Sequence, residues 1–261
     1  MARTSFVTEA KKPGKKKKKA APAAPVADTE AVEAVYGDDV AVARRPTAEV
    51  GKISGDVDAS DIKFPRLEMV YGVGAVSELF DAGDIVYNGN LRLAAKGEPV
   101  HMTVASLSKY YAEVIPFDPT GETRARIFAT KDEVKEAGLW VEWRNNEKPP
   151  VSECATLLVI VECPAGVDDS SFPLSFTEAD GTVRSLGIAE WTVRNTSYTR
   201  VAKQVISAQA FFLRDSLLRG RWELRTLRQK AGDFVTTLPA FRCIGTNSDL
   251  FQEFLTKNLA R

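Results

Sequence analysis

The chain has 261 residues, 44% of them hydrophobic, enough for one sizeable core of roughly 200 residues once a polar N-terminal arm is set aside. Its 35 basic and 35 acidic residues cancel, so net charge points to no partner and only the placement of charge can. Three cysteines without dense spacing, no apolar leader and a longest apolar run of only Leu157 to Val161 argue against a secreted disulfide scaffold or a membrane span, and lead to the expectation of a soluble, cytoplasmic protein with no membrane partner.

Residues 1–27 carry Arg3, Lys11, Lys12 and Lys15 to Lys19 against Glu9 in a stretch rich in Ala and Pro, a composition too poor in apolar side chains to fold. Such an arm either condenses on phosphates, gaining affinity by counterion release, or serves as a solubilising tail or localisation signal. Residues 28–39 reverse the sign with Asp28, Glu30, Glu33, Asp38 and Asp39. They read as a solvated linker, or as an acidic block that competes with nucleic acid for positive surface. A linker continues through Arg44-Arg45-Pro46 to Gly55, which gives a disordered arm and linker at 1–55 and a single globular domain at 56–261.

From Asp61 the texture is that of strands. Asn88-Gly89 lies between apolar alternating segments and predicts a hairpin of strands at Ile85 to Tyr87 and Leu91 to Ala94. Val100 to Phe117 is rich in β-branched and aromatic residues and predicts one or two strands. A turn follows at Pro119-Thr120-Gly121, and Thr130 with Glu133 three residues on forms a capping-box pattern for a short helix ending at Gly138. Trp140, Trp143 and the polar run Arg144 to Lys148 lead into Pro149-Pro150 as an exposed loop. The run ECATLLVIVEC is the expected centre of the sheet, and strands flank the turn at Ala179-Asp180-Gly181.

The segment Ser197 to Gly245 carries most of the functional signal. Val201, Val205, Ala208 and Phe212, with Ala202 and Ile206 beside them, predict one long helix from about Thr199 to Leu218. After Gly220 the period becomes 2, with Trp222, Leu224 and Thr226 facing one way and Arg221, Glu223, Arg225 and Gln229 the other. Gly232-Asp233 suits a hairpin turn, and Phe234 to Ile244 returns as a strand whose Pro239 marks an edge or a bulge. Asn247-Ser-Asp opens a closing helix with Leu250, Phe251, Phe254, Leu255 and Leu259 on one face. The fold class is mainly β (α+β): an antiparallel OB-like barrel or curled sheet with one long late helix and a C-terminal helix.

No pattern of catalytic chemistry stands out, and the chain is read as a non-enzyme without cofactor or metal. His101 is the one histidine and has no ligand-spaced partner, and Cys154 and Cys163 are too far apart in sequence for a zinc knuckle. The glycines of Tyr71-Gly72-Val73-Gly74 lack the third glycine of a dinucleotide loop, and Asp168-Asp169 have no further acids beside them.

Binding remains. Between Arg194 and Lys230 nine basic residues stand against Asp215 and Glu223. Single strands are held by a positive groove along the backbone and by rings on which bases stack. The candidate cations are Arg200, Lys203, Arg221, Arg225, Arg228 and Lys230, and the candidate rings are Tyr110, Tyr111, Trp143, Trp191 and Tyr198, although Trp and Tyr are more often core or core-edge anchors.

The segments IKFPRLEMV, AGDIVYN and SYTRVAKQVISAQAFFLRDSLLRGRWELRTLRQKAGDFVTTLPAF together resemble the layout of phage-encoded single-stranded DNA-binding proteins of the OB-fold type, over about residues 62–94 and 191–245. The resemblance implies sequence-independent coating of single-stranded DNA in replication or recombination within the host cytoplasm, contact with replication or recombination proteins, and a homo-oligomer such as a dimer. Some members of that group end in an acidic tail that recruits partners, whereas this chain ends in Lys257 and Arg261. The competing expectation is a virion structural or assembly protein whose lysine-rich arm contacts nucleic acid nonspecifically while the β domain makes protein contacts.

Overall fold

Strand β6 (Val151–Glu162) shows why an unbroken apolar run sits at the centre of a sheet. Its odd residues Ala155, Leu157, Val159 and Val161 enter one core, while Ile160 on the opposite face enters a second. Both faces are covered, so no alternation with polar residues is required. The computed structural model that reveals this describes residues 63–259 except Val73, 116–123 and 232–233. The basic arm, the acidic block, the 56–261 domain start and the turns expected at Pro119 to Gly121 and at Gly232-Asp233 lie outside the described residues.

β6 is flanked by β4 (Val100–Glu113) and β8 (Val183–Arg194). The antiparallel path continues outward to β9 (Gly220–Ala231) and β10 (Phe234–Thr246) on one side and to β7 (Leu174–Thr177) on the other, giving β10-β9-β4-β6-β8-β7. β5 (Ile127–Phe128) pairs with the far end of β4. A second, three-stranded sheet is formed by β1 (Leu67–Met69), β2 (Ile85–Tyr87) and β3 (Leu91–Ala94), bridged to β8 where Arg66 meets Glu190. The Asn88-Gly89 turn joins β2 to β3, and both residues take the positive φ (52° and 71°) that such a turn needs.

The fold is therefore mainly antiparallel β, as expected, but the strand path is open: β10 and β7 are its two ends. It is nonetheless strongly curled. Trp191 on β8 and Phe241 on β10 are separated by four strand steps, about 19 Å on a flat sheet. Their ring centroids lie 5.5 Å apart. The sheet has bent until its outer strands meet through their side chains, with the Phe241 ring also stacked flat on Trp222 at 4.8 Å.

Helices α2 (Asn195–Arg200) and α3 (Ala202–Ala208) fill the concavity with Tyr198, Val201, Ala202, Val205 and Ala208. The single long helix expected over Thr199 to Leu218 is instead broken into pieces. Val201 interrupts it, a π turn follows at Gln209–Leu213, Arg214 leaves the helix at φ 53°, and a 3-10 turn occupies Leu217–Arg219. The π turn spaces hydrogen bonds by five residues rather than four, so the next inward position after Ala208 is Leu213, not Phe212. Leu213 is buried while Phe212 and Ile206 are exposed.

Thr130 caps α1 (Lys131–Glu136) as read, its Oγ1 accepting the Glu133 N–H at 3.2 Å, while the Glu133 carboxylate reaches one residue past the cap to accept the Ala129 N–H at 2.9 Å, and the helix ends before Gly138 at φ 75°. The convex face of β6 and β8 is roofed by α4 (Asp249–Leu259), whose Phe251 and Leu255 cover Ile160, Phe176 and Leu186. Leu250, expected on that apolar face, points to solvent. No described helix is long and apolar enough to cross a membrane.

Candidate nucleic-acid interface

The outer face of β9 presents Arg221, Glu223 and Arg225 as the period of 2 requires, but two of its arginines are engaged. Arg221 donates from Nε and Nη2 to both carboxylate oxygens of Glu162 on β6, at 3.1 and 2.9 Å. Arg184 donates to the same carboxylate at 3.2 Å. Arg225 forks onto Glu223 from Nε and Nη2 at 2.8 and 3.1 Å and donates from Nη1 to the Gly97 carbonyl at 3.3 Å. Arg221 and Arg225 are thus each paired with a carboxylate and only 32% and 40% exposed, a pairing that the charge count could not show. Arg228 and Lys230 are exposed and have no carboxylate partner among the described residues.

Glu223 is the hub of this surface. It is only 6% exposed and takes Arg225, then Arg242 from β10 at 2.9 Å, with His101 of β4 3.7 Å away. The Arg225 guanidinium, working against the cost of burial and joined by Arg242, holds the Glu223 carboxyl down at about 2. Around it opens a cleft of about 380 Å³ lined by Arg200, Gln204, Glu223, Arg225, Phe241 and Arg242, between the α2–α3 segment and the edge strand β10. Three guanidiniums and one carboxylate leave it positive. Arg200 donates to Gln229 at 2.8 Å, which brings α2 beside Arg228 and Lys230.

A second cleft of about 370 Å³ shares Gln204 with the first. Lys203, Ser207, Ala208, Phe212, Trp222 and Cys243 line it. Phe212 is 77% exposed, and the ring of Phe211, 76% exposed, lies 6.5 Å from it edge to face. Together the clefts make one strip along β10, cationic at one end and aromatic at the other.

The rings named from the sequence are placed differently. Trp191, Tyr198 and Tyr111 are buried, so their faces are covered by protein and cannot stack on a base. Trp191 packs on Phe241, and Tyr111 and Tyr198 each lie under the Lys109 ammonium, at 5.0 and 5.4 Å. Burial opposes the charge on Lys109, yet its hydrogen bonds to Glu153 and to both tyrosines outweigh this and raise its pKa. Lys203 shares Glu153 at 3.8 Å. Tyr110 is half-buried and Trp143 is exposed in the loop after α1, and neither lines the strip.

Sequence reasoning thus missed Arg242, which lies after the counted basic run, and the pair Phe211 and Phe212, of which Phe212 was placed on the apolar face of a helix. The doubled aromatic was visible, but only the π turn turns it outward. Cys154, Cys163 and Cys243 are free thiols, buried, half-buried and exposed in turn. Among the described residues no three histidine, cysteine or acidic side chains converge as a metal site would require. Comparison with protein-family models, with curated proteins and with solved structures finds no match for this chain.

Proposed function

We propose that this protein binds single-stranded DNA without regard to sequence, along the strip between α2–α3 and β10. The observation that carries this reading is that an arginine cleft and a cleft lined by the exposed Phe212, with Phe211 beside it, meet at Gln204. Phosphates need cations with donors to spare, which Arg200, Arg242, Arg228 and Lys230 supply. Bases need open ring faces, which Phe211 and Phe212 supply, and stacking is tolerant of sequence because every base has a face. A curled antiparallel sheet around a helical plug is also close in spirit to the OB-type barrels that bind strands, although here the path is open. Coating of single strands in replication or recombination is the role such a surface suits.

The same exposed phenylalanines favour one other reading, a virion or assembly protein that seats a partner on this patch while the lysine arm holds nucleic acid. Titration of labelled single-stranded DNA, the matching RNA and the duplex with the full chain separates them. On the strand-binding reading, replacing Phe211 and Phe212 together by Ala weakens single-strand binding at least tenfold, as loss of about 1–3 kcal/mol per stacked base requires. Replacing Lys15 to Lys19 by Gln leaves single-strand preference intact. Binding equal for strand and duplex, lost with the lysines and indifferent to the phenylalanines, sinks it in favour of the assembly role.

A further inference from the structure

We infer that Glu223 is a positioning residue for phosphate recognition, its carboxylate clamping Arg225 and Arg242 so that Arg242 and Arg200 present their remaining N–H donors to one phosphate group in the cleft beside β10. The inference rests on the strand-binding reading for its macromolecular ligand, but the cleft geometry defines the phosphate site.

The donor inventory is specific. A guanidinium carries five N–H donors in a rigid fork. Arg242 donates from Nε to Glu223 Oε1 at 2.9 Å, its Nη2 lies 2.8 Å from the same oxygen, and at 67% exposure its Nη1 has no hydrogen-bond partner among the described residues. Arg200 spends one Nη2 hydrogen on Gln229 and lines the same cleft from α2. Arg225 is the buttress: with Nε and Nη2 on Glu223 and Nη1 on the Gly97 carbonyl, its fork is fixed between two elements. Glu223 is thereby locked from one side and can hold Arg242 from the other. Without it the long Arg242 side chain would sample many rotamers, and ordering it for each phosphate would be a recurring entropy cost.

Coulomb repulsion alone would give the opposite sign. Glu223 is a negative charge lining a polyanion site, so its removal alone would tighten binding. The sign of the Glu223→Gln effect therefore decides the matter.

The experiment uses the full chain, a labelled oligothymidylate, and inorganic pyrophosphate as an independent phosphate probe. Glu223→Gln is expected to weaken oligothymidylate binding about tenfold, the loss of one charge-assisted hydrogen bond, and to flatten the log–log salt slope by about 0.7 for one phosphate contact. Arg242→Lys keeps the charge but not the fork, sits on the surface, and is expected to weaken binding with the same flattening. Pyrophosphate is expected to raise the thermal midpoint of the wild type and not that of Glu223→Gln. Binding by Glu223→Gln as tight as wild type or tighter overturns the inference, as does wild-type behaviour of Arg242→Lys, which decides the matter if Glu223→Gln fails to fold. A wild type that ignores oligothymidylate but is stabilised by pyrophosphate sinks the strand-binding reading and leaves the phosphate cleft standing. A wild type indifferent to pyrophosphate overturns the cleft.

Discussion

Glu223 carries its negative charge into a nearly buried position because two guanidiniums gather around it. Its folded-state value of about 2 lies below the ordinary 4.5, so protonation favours the unfolded chain. Its stabilising contribution is complete above the ordinary value and drains away as pH falls from there toward about 2. Urea denaturation at about pH 6 and about pH 2.5 is expected to show the wild type losing on the order of 2 kcal/mol more than Glu223→Gln over that interval. An equal loss in both proteins would mean that Glu223 is not held down by its arginines. Gly220 illustrates a different residue-scale constraint, one of space rather than conformation. Its φ is an ordinary −79°, but a Cβ there would come within 2.6 Å of Trp222 Nε1 and 2.9 Å of Leu213 Cδ1. Both neighbours are buried, and Gly220→Ala is expected to destabilise by about 1–3 kcal/mol in the same assay.

At the scale of elements, the helical passage from α2 to the π turn determines what the surface offers. A π turn shifts the inward position by one residue, burying Leu213 and leaving both rings outside. Because Phe211 and Phe212 support no core, their double Ala variant is expected to unfold within about 0.5 kcal/mol of wild type while losing strand affinity. That split would set a binding role apart from a structural one. Cys243 lines the aromatic end of the strip and is exposed, whereas burial pushes the Cys154 thiol up and covers it. Bound oligonucleotide is expected to slow alkylation of Cys243 and to leave Cys154 inert, and unchanged Cys243 reactivity at saturation would place the strand elsewhere. Much at this scale was legible in the sequence. The Asn88-Gly89 hairpin, the Thr130 cap and the central strand through Leu157 to Val161 are local signals, and local signals survive folding. The fates of Arg221 and Trp191 were not legible, since Arg221 depends on Glu162 59 residues earlier and Trp191 on a curl that brings Phe241 against it. Period and charge describe one segment at a time, whereas ion pairing and burial are decided between segments.

For the whole molecule, the distribution of charge is as telling as its sum. From Asp58 onward 24 basic residues face 27 acidic ones, so the strip is a positive island on a slightly negative unit. Long-range attraction to a polyanion must then come mainly from the lysines before Ala20. Neutralising Lys15 to Lys19 is expected to lower the association rate for oligonucleotide severalfold at low salt while changing dissociation little. A change confined to dissociation would instead make those lysines part of the bound contact. The curl held by Trp191 and Phe241 has its own bearing on how the molecule behaves in a crowded solution. Because the strand path stays open, the outer edge of β10 pairs with no other strand among the described residues, and Pro239 and the irregularity before Gly245 blunt it. That edge walls the strip, so whatever fills the strip also hides it. Ligand would then act as a colloidal stabiliser, and concentrated protein should turn cloudy sooner when the strip is empty than when a short oligonucleotide lies along it.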